Sequence, residues 1–155
     1  MTQRILCYGD SNTWGSPDTE PSLRYQQRWP KTMIQTLADP NLELVEDAIP
    51  GRTTALDDYD MADTRFLGDP TVANGYRSLL PVLRAHAPLD LVILMLGTND
   101  LKSRYCQTPR SITANVERLA RRILTSNAGP GPWGEGKAPK LLILCADSRI
   151  TDFHS

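Results

Sequence analysis

Ser11 is the first residue in this sequence whose setting suggests chemistry. It stands in RILCYGDSNTWG (4–15), where the apolar run Ile5-Leu6-Cys7-Tyr8 ends abruptly in Gly9-Asp10-Ser11-Asn12-Thr13. Such a run reads as a buried strand emptying into a polar turn. In open α/β sheets ligands bind beyond the carboxyl ends of the strands, so a hydroxyl placed there is exposed on a rigid support and is a candidate nucleophile. The competing reading is that Asp10 or Ser11 simply caps the helix that follows, since both residue types are good caps.

Two further strand ends deliver polar groups. Leu42 to Ile49 reads as a second strand closed by Pro50-Gly51, and Gly51 is a position where backbone can approach a ligand closely or an ordinary turn glycine. Leu91-Val92-Ile93-Leu94-Met95-Leu96 is apolar at consecutive positions, as a central strand covered on both faces should be, and it ends in Gly97-Thr98-Asn99-Asp100.

The elements between these strands alternate as an α/β fold requires. Trp29, Met33 and Leu37 recur at helical spacing behind Pro30. Tyr76, Leu79, Leu80 and Leu83 mark a second helix, with Pro81 in its first turn or at a kink. It ends near His86, read as a structural residue at the helix terminus on the side away from the crevice. Ile112, Val116, Leu119 and Ile123 mark a third helix behind Thr108-Pro109, with a basic outer face read as solvated. Residues 56–74 read as a solvated acidic loop, in which Asp57, Asp58, Asp60 and Asp63 lack the calcium-loop pattern. Residues 127–139, rich in Gly and Pro, read as a flexible connection to a fourth strand, Lys140 to Cys145. Crossover connections imply parallel strands, hence a doubly wound α/β sheet.

Composition narrows the function classes. With 155 residues the chain fits one domain, 1–155, with a sizeable core. Its 17 basic and 18 acidic residues give a net charge of -1 without clusters, so neither nucleic acid nor an anionic membrane is an expected partner. A small molecule is. Of the three cysteines, Cys7 and Cys145 lie in apolar runs and read as small buried hydrophobes, which fits a reducing cytoplasm. The terminus MTQRILCYG has too short an apolar run for a signal peptide, and no stretch reaches the length of a membrane span.

Taken together, Gly9-Asp10-Ser11, Gly51 and Gly97-Thr98-Asn99-Asp100 resemble the first three blocks of the SGNH hydrolases, also called the GDSL family. RILCYGDSNTWG, PGRTT and HAPLDLVILMLGTND are most similar to its arylesterase and acyltransferase branch of small bacterial enzymes. The resemblance covers nearly the whole chain. It implies a flavodoxin-like three-layer α/β/α sandwich and a serine ester hydrolase acting on short acyl esters, without metal, nucleotide or other cofactor. It assigns the attack to Ser11 and the oxyanion hole to the Ser11 N–H, the Gly51 N–H and the Asn99 side-chain amide. Asp10 and Asp100 orient the turns, and Trp14 flanks the acyl pocket or belongs to the core.

The family's base and its orienting carboxylate form an Asp-x-x-His block after a fifth strand and before a final helix. Here the sequence offers Asp152-Phe153-His154, one residue closer together and almost directly behind the fourth strand. His154 is the sole histidine besides His86 and so the candidate base, with Asp152 as its partner. The change of character after Cys145 reads as a truncated or frame-shifted copy lacking the last strand and helix. An exposed edge at Leu141 to Leu144 would then favour a homo-oligomer. The rival reading is a catalytically incompetent relative that binds an ester or carbohydrate without turnover. A flavin or nucleotide binder is disfavoured, because neither the dinucleotide glycine fingerprint nor the phosphate-loop lysine motif is present.

Overall fold

The computed structural model describes residues 2–17, 23–60, 68–132 and 135–145. Strand β1 (Gln3–Gly9) is buried from Ile5 onward and pairs in parallel with β2 (Leu42–Ala48) on one side and β3 (Leu91–Met95) on the other. Strand β3 pairs in parallel with β4 (Lys140–Ile143), giving the order β2-β1-β3-β4.

Alternation along the strands builds two cores. Leu6, Tyr8, Val92 and Leu94 face Leu79 and Leu83 of α3 (Gly75–His86) and Leu119 and Ile123 of α4 (Pro109–Leu124). Ile5, Cys7 and Ile93 face Trp29, Met33 and Ile34 of α2 (Trp29–Leu37). The result is the expected three-layer sandwich. The face taken by each helix follows from handedness: the chain steps outward from β1 to β2, then reverses across β1 to β3 and on to β4. Right-handed crossovers therefore put α2 on one face and α3 and α4 on the other. That reversal, beyond the carboxyl ends of β1 and β3, is where open α/β sheets bind their ligands.

Local signals explain the helix starts. Thr108 and Ser111 form a reciprocal capping box ahead of Pro109, and Asn74 caps α3 by accepting from the Arg77 N–H at 3.2 Å. Pro81 lies inside α3, beyond the first turn. Pro81 and Arg77 are both exposed, so the carbonyl that loses its intrahelical donor can be hydrated.

Several expectations are corrected. The connection over 127–139 is pinned where it is described: the Gly129 N–H donates to the Lys137 carbonyl at 2.7 Å, and the Lys137 N–H returns to Pro130 at 3.0 Å. A Cβ on Gly129 would come within 2.3 Å of the Lys137 carbonyl, so only glycine permits this close approach. The acidic loop is not wholly solvated. Asp58 is 1% exposed and receives Arg104 Nη2 at 2.7 Å, while Asp57 receives Asn74 Nδ2 at 2.7 Å; Asp63 lies outside the described residues. Arg118 and Arg122 of the basic α4 face stack on Tyr76 of α3, at 4.4 and 3.8 Å from the ring centroid. All three cysteines are free, and Cys7 is buried as expected, but Cys145, just beyond β4, is exposed among the described residues. Among the described residues no helix is long and apolar enough to cross a membrane, and no cluster of His, Cys, Asp or Glu is placed to hold a metal ion.

Candidate active site

The segments after three strands meet at the carboxyl edge of the sheet. After β1, Asp10 caps the short helix α1 (Ser11–Trp14), its Oδ1 accepting from the Asn12 N–H at 2.9 Å and from Asn12 Nδ2 at 3.1 Å. The competing roles of Asp10 and Ser11 are thereby separated. Asp10 does the capping, and Ser11 stands half-buried in the first turn. Gly15 closes α1 with φ of 85°, and the N–H groups of Gly15 and Ser16 both return to the Ser11 carbonyl.

After β2 the chain folds back onto β1 through the Ile49 N–H, which donates to the Gly9 carbonyl at 3.2 Å. Gly51 follows, buried and with φ of 90°, a conformation that side-chain-bearing residues rarely hold. After β3, Gly97 turns with φ of 124° and sends Asn99 and Asp100 back into the protein, where they are 8% and 0% exposed.

Asn99 joins the three tips. Its Nδ2 donates to the Arg52 carbonyl at 3.0 Å and to Asp10 Oδ2 at 3.3 Å. One amide thus touches the residue after Gly51 and the residue before Ser11. Asp100 secures the same junction by accepting from the Thr54 N–H at 2.9 Å and from the Thr54 hydroxyl. Both carboxyls are pushed above the usual range by burial. Asp10 rises to about 6, against the opposing pull of its bonds from Asn12 and with the nearby Asp100 adding to the rise. Asp100 rises too, opposed by its bonds from Thr54. Cys7, the nearest thiol along β1, is no rival nucleophile: burial, with Glu46 adding to it, pushes it up to about 12.

Trp14 is half-buried, and its carbonyl accepts from Arg24 Nε at 2.7 Å while the Arg24 guanidinium lies 5.2 Å from its ring centroid. Arg24 and the buried Arg28 both reach Glu46 on β2. This ties the segment ahead of α2 to the sheet beside α1. Composition gave no hint of it, because the partners lie far apart in the chain.

His86 is at the wrong end of the molecule. Its carbonyl accepts from Arg4 Nη1 at 3.1 Å, near the start of β1, whereas Ser11 follows the other end. Arg4 to Gly9 spans roughly 17 Å at about 3.3 Å per residue, so His86 is beyond hydrogen-bond reach of Ser11. Asp152 and His154 lie outside the described residues.

Sequence reasoning passed over the side chains of Arg52 and Thr54. The available signal was a charged residue directly behind a glycine at a strand end.

Comparison with known proteins identifies the fold and the family. The inhibitor-bound aryl esterase of M. smegmatis superposes with a TM-score of 0.76 at 36% identity, over 93% of this chain and 64% of that one. Est24, a carbohydrate acetylesterase from Sinorhizobium meliloti, superposes with a TM-score of 0.76 at 39% identity, over 92% of this chain and 63% of that one. The chain therefore spans just under two thirds of the length of these relatives. No match was found among curated proteins. The family model described as GDSL-like lipase/acylhydrolase matches residues 7–147, from within β1 to beyond β4, and the chain belongs to that family.

Proposed function

We propose that the chain is a serine ester hydrolase that cleaves short-chain acyl esters, with Ser11 as nucleophile. The observation that carries this reading is the Asn99 amide, bonded at once to Asp10, the residue before Ser11, and to Arg52, the residue after Gly51, which ties together the three strand ends that carry the proposed donors. Attack by Ser11 Oγ on the acyl carbonyl moves negative charge onto its oxygen. The N–H groups of Ser11 and Gly51 and the Asn99 amide would receive it, each such donor lowering the barrier by about 3 to 4 kcal/mol. The Asn99 hydrogen held at 3.3 Å by Asp10 is the more weakly bound of the two, so it is the one an arriving oxygen would share.

A serine hydroxyl needs a base to act at neutral pH. His86 lies at the far end of β1, and the candidate the sequence offers for that role is His154, with Asp152 as its partner. The base takes the Ser11 proton and returns it to the leaving alcohol, and the acyl-enzyme is then released to water or to a second alcohol. Acetyl esters are the first substrates to try, since the relatives are named as aryl and carbohydrate acetyl esterases.

The decisive experiment compares the chain with Ser11→Ala on p-nitrophenyl acetate and labels both with a serine-directed phosphonate. Hydrolysis and labelling that both vanish in the variant support the assignment. Hydrolysis surviving Ser11→Ala refutes it. A chain that binds the ester yet neither turns it over nor takes the label is instead a non-hydrolytic binder, and retained turnover in His154→Ala moves the base elsewhere.

A further inference from the structure

Arg52 is a cation only 1% exposed, and the proposed chemistry makes no use of its side chain. Its Nη1 donates to the carbonyls of Gly9 at 3.2 Å and Asp47 at 2.9 Å, and its Nη2 donates to Asp47 Oδ1 at 2.7 Å. The guanidinium carbon lies 4.2 Å from the centroid of the Tyr8 ring. The backbone of the same residue donates to the Ile49 carbonyl at 3.0 Å and accepts the Asn99 amide at 3.0 Å. One residue therefore touches the last residue of β1, the end of β2 and the loop after β3.

Stability gives little reason to keep such a group. Buried ion pairs are often replaced by apolar side chains without loss, and Arg52 Nε is buried with no acceptor. What arginine supplies is a flat fork that holds several acceptors in fixed directions. We propose that Arg52 is a positioning residue: its guanidinium, anchored on Gly9 and Asp47, fixes the Gly51–Arg52 backbone so that the Gly51 N–H and the Asn99 amide converge on one substrate oxygen. The proposal takes from the esterase reading what the positioned groups do. That they are positioned by Arg52 is a separate matter, and it can be measured without turnover.

The test uses Arg52→Lys, which keeps the charge and loses the fork, and Arg52→Met, which keeps the length and loses both. Each is assayed on p-nitrophenyl acetate well below its own Tm, and amide hydrogen exchange is followed at Gly51 and the Asn99 side chain against Leu6 and Val92 in the sheet. In both variants kcat should fall about 100-fold, the cost of misplacing a reacting group by about 1 Å, with KM unchanged. Exchange at Gly51 and Asn99 should accelerate roughly tenfold or more while Leu6 and Val92 keep their rates, the mark of local and not global opening. Full activity in Arg52→Lys, or acceleration spread equally over the sheet, overturns the proposal. Should the unsubstituted chain hydrolyse no ester, the esterase reading fails by itself. Arg52 is then judged by exchange alone, with local acceleration upholding its positioning role and unchanged rates ending it.

Discussion

Asp10 places its two oxygens in different parts of the site. Oδ1 caps α1 through Asn12, and Oδ2 receives Asn99. Burial raises its carboxyl to about 6, against an unfolded value near 3.9. The folded chain therefore holds this proton more tightly than the unfolded chain does. The associated stability is fully present below about pH 4 and is lost as pH rises through about 6, amounting to on the order of 3 kcal/mol. Asp10→Asn cannot ionise, so the Tm of the variant relative to the unsubstituted chain should climb between pH 4 and pH 7, whatever constant offset the changed hydrogen bonds add. A difference in Tm that stays flat over that range would show that Asp10 does not titrate there. At this scale the sequence was most legible where the residue type is itself the chemistry. Ser11, Gly51 and Asn99 stand out as a hydroxyl, an unobstructed N–H and an amide at strand ends. Arg52 did not, because its meaning comes from Gly9, 43 positions earlier in the chain.

The elements were readable wherever an apolar run or a helical spacing ended in a recognisable stop, as for β1, β3 and α4. They were misread where tertiary contacts decide: the 127–139 connection, read as flexible, is pinned by its own backbone where it is described. The junction of β1 with α1 shows what the site demands of an element. A Cβ on Gly9 would lie 2.1 Å from Thr13 Oγ1 and 2.6 Å from Thr13 Cβ, with the Met95 carbonyl at 3.0 Å. Glycine at this strand end is required by the close return of α1 over the sheet, whatever the family pattern. Gly9→Ala should therefore destabilise the chain by about 1 to 3 kcal/mol, the usual cost of overpacking, as read by urea unfolding. Thr13→Gly in the same chain removes the obstructing side chain and should recover part of that loss. No recovery would mean that the clash lies with Met95 and β3 instead.

The whole molecule differs at its two sheet edges. On β2, the acidic residues Glu43, Glu46 and Asp47 are interspersed among the apolar ones, and Arg4 of β1 reaches its register partner Glu43 at 3.0 Å. Charge of this kind discourages pairing with another chain. Strand β4 reads Lys-Leu-Leu-Ile, has β3 as its neighbour on one side, and leaves Leu142 and Ile143 exposed at 45% and 43% among the described residues. The crossovers foretold parallel strands, and the β2-β1-β3-β4 order then fixed which of them became edges. Among the described residues no strand pairs with the outer side of β4, and an apolar edge of that kind is a template for a second strand, so self-association of this chain should run through β4. Sedimentation velocity should show the average mass of the chain rising with concentration, and Leu142→Lys, which puts a charge on that edge, should hold it at the monomer. The candidate site lies beyond the carboxyl ends of β1 and β3, one strand away, so kcat per chain should be the same for both proteins at every concentration. A chain that stays monomeric throughout, or a Leu142→Lys variant that assembles as readily, would show that the β4 edge does not drive assembly.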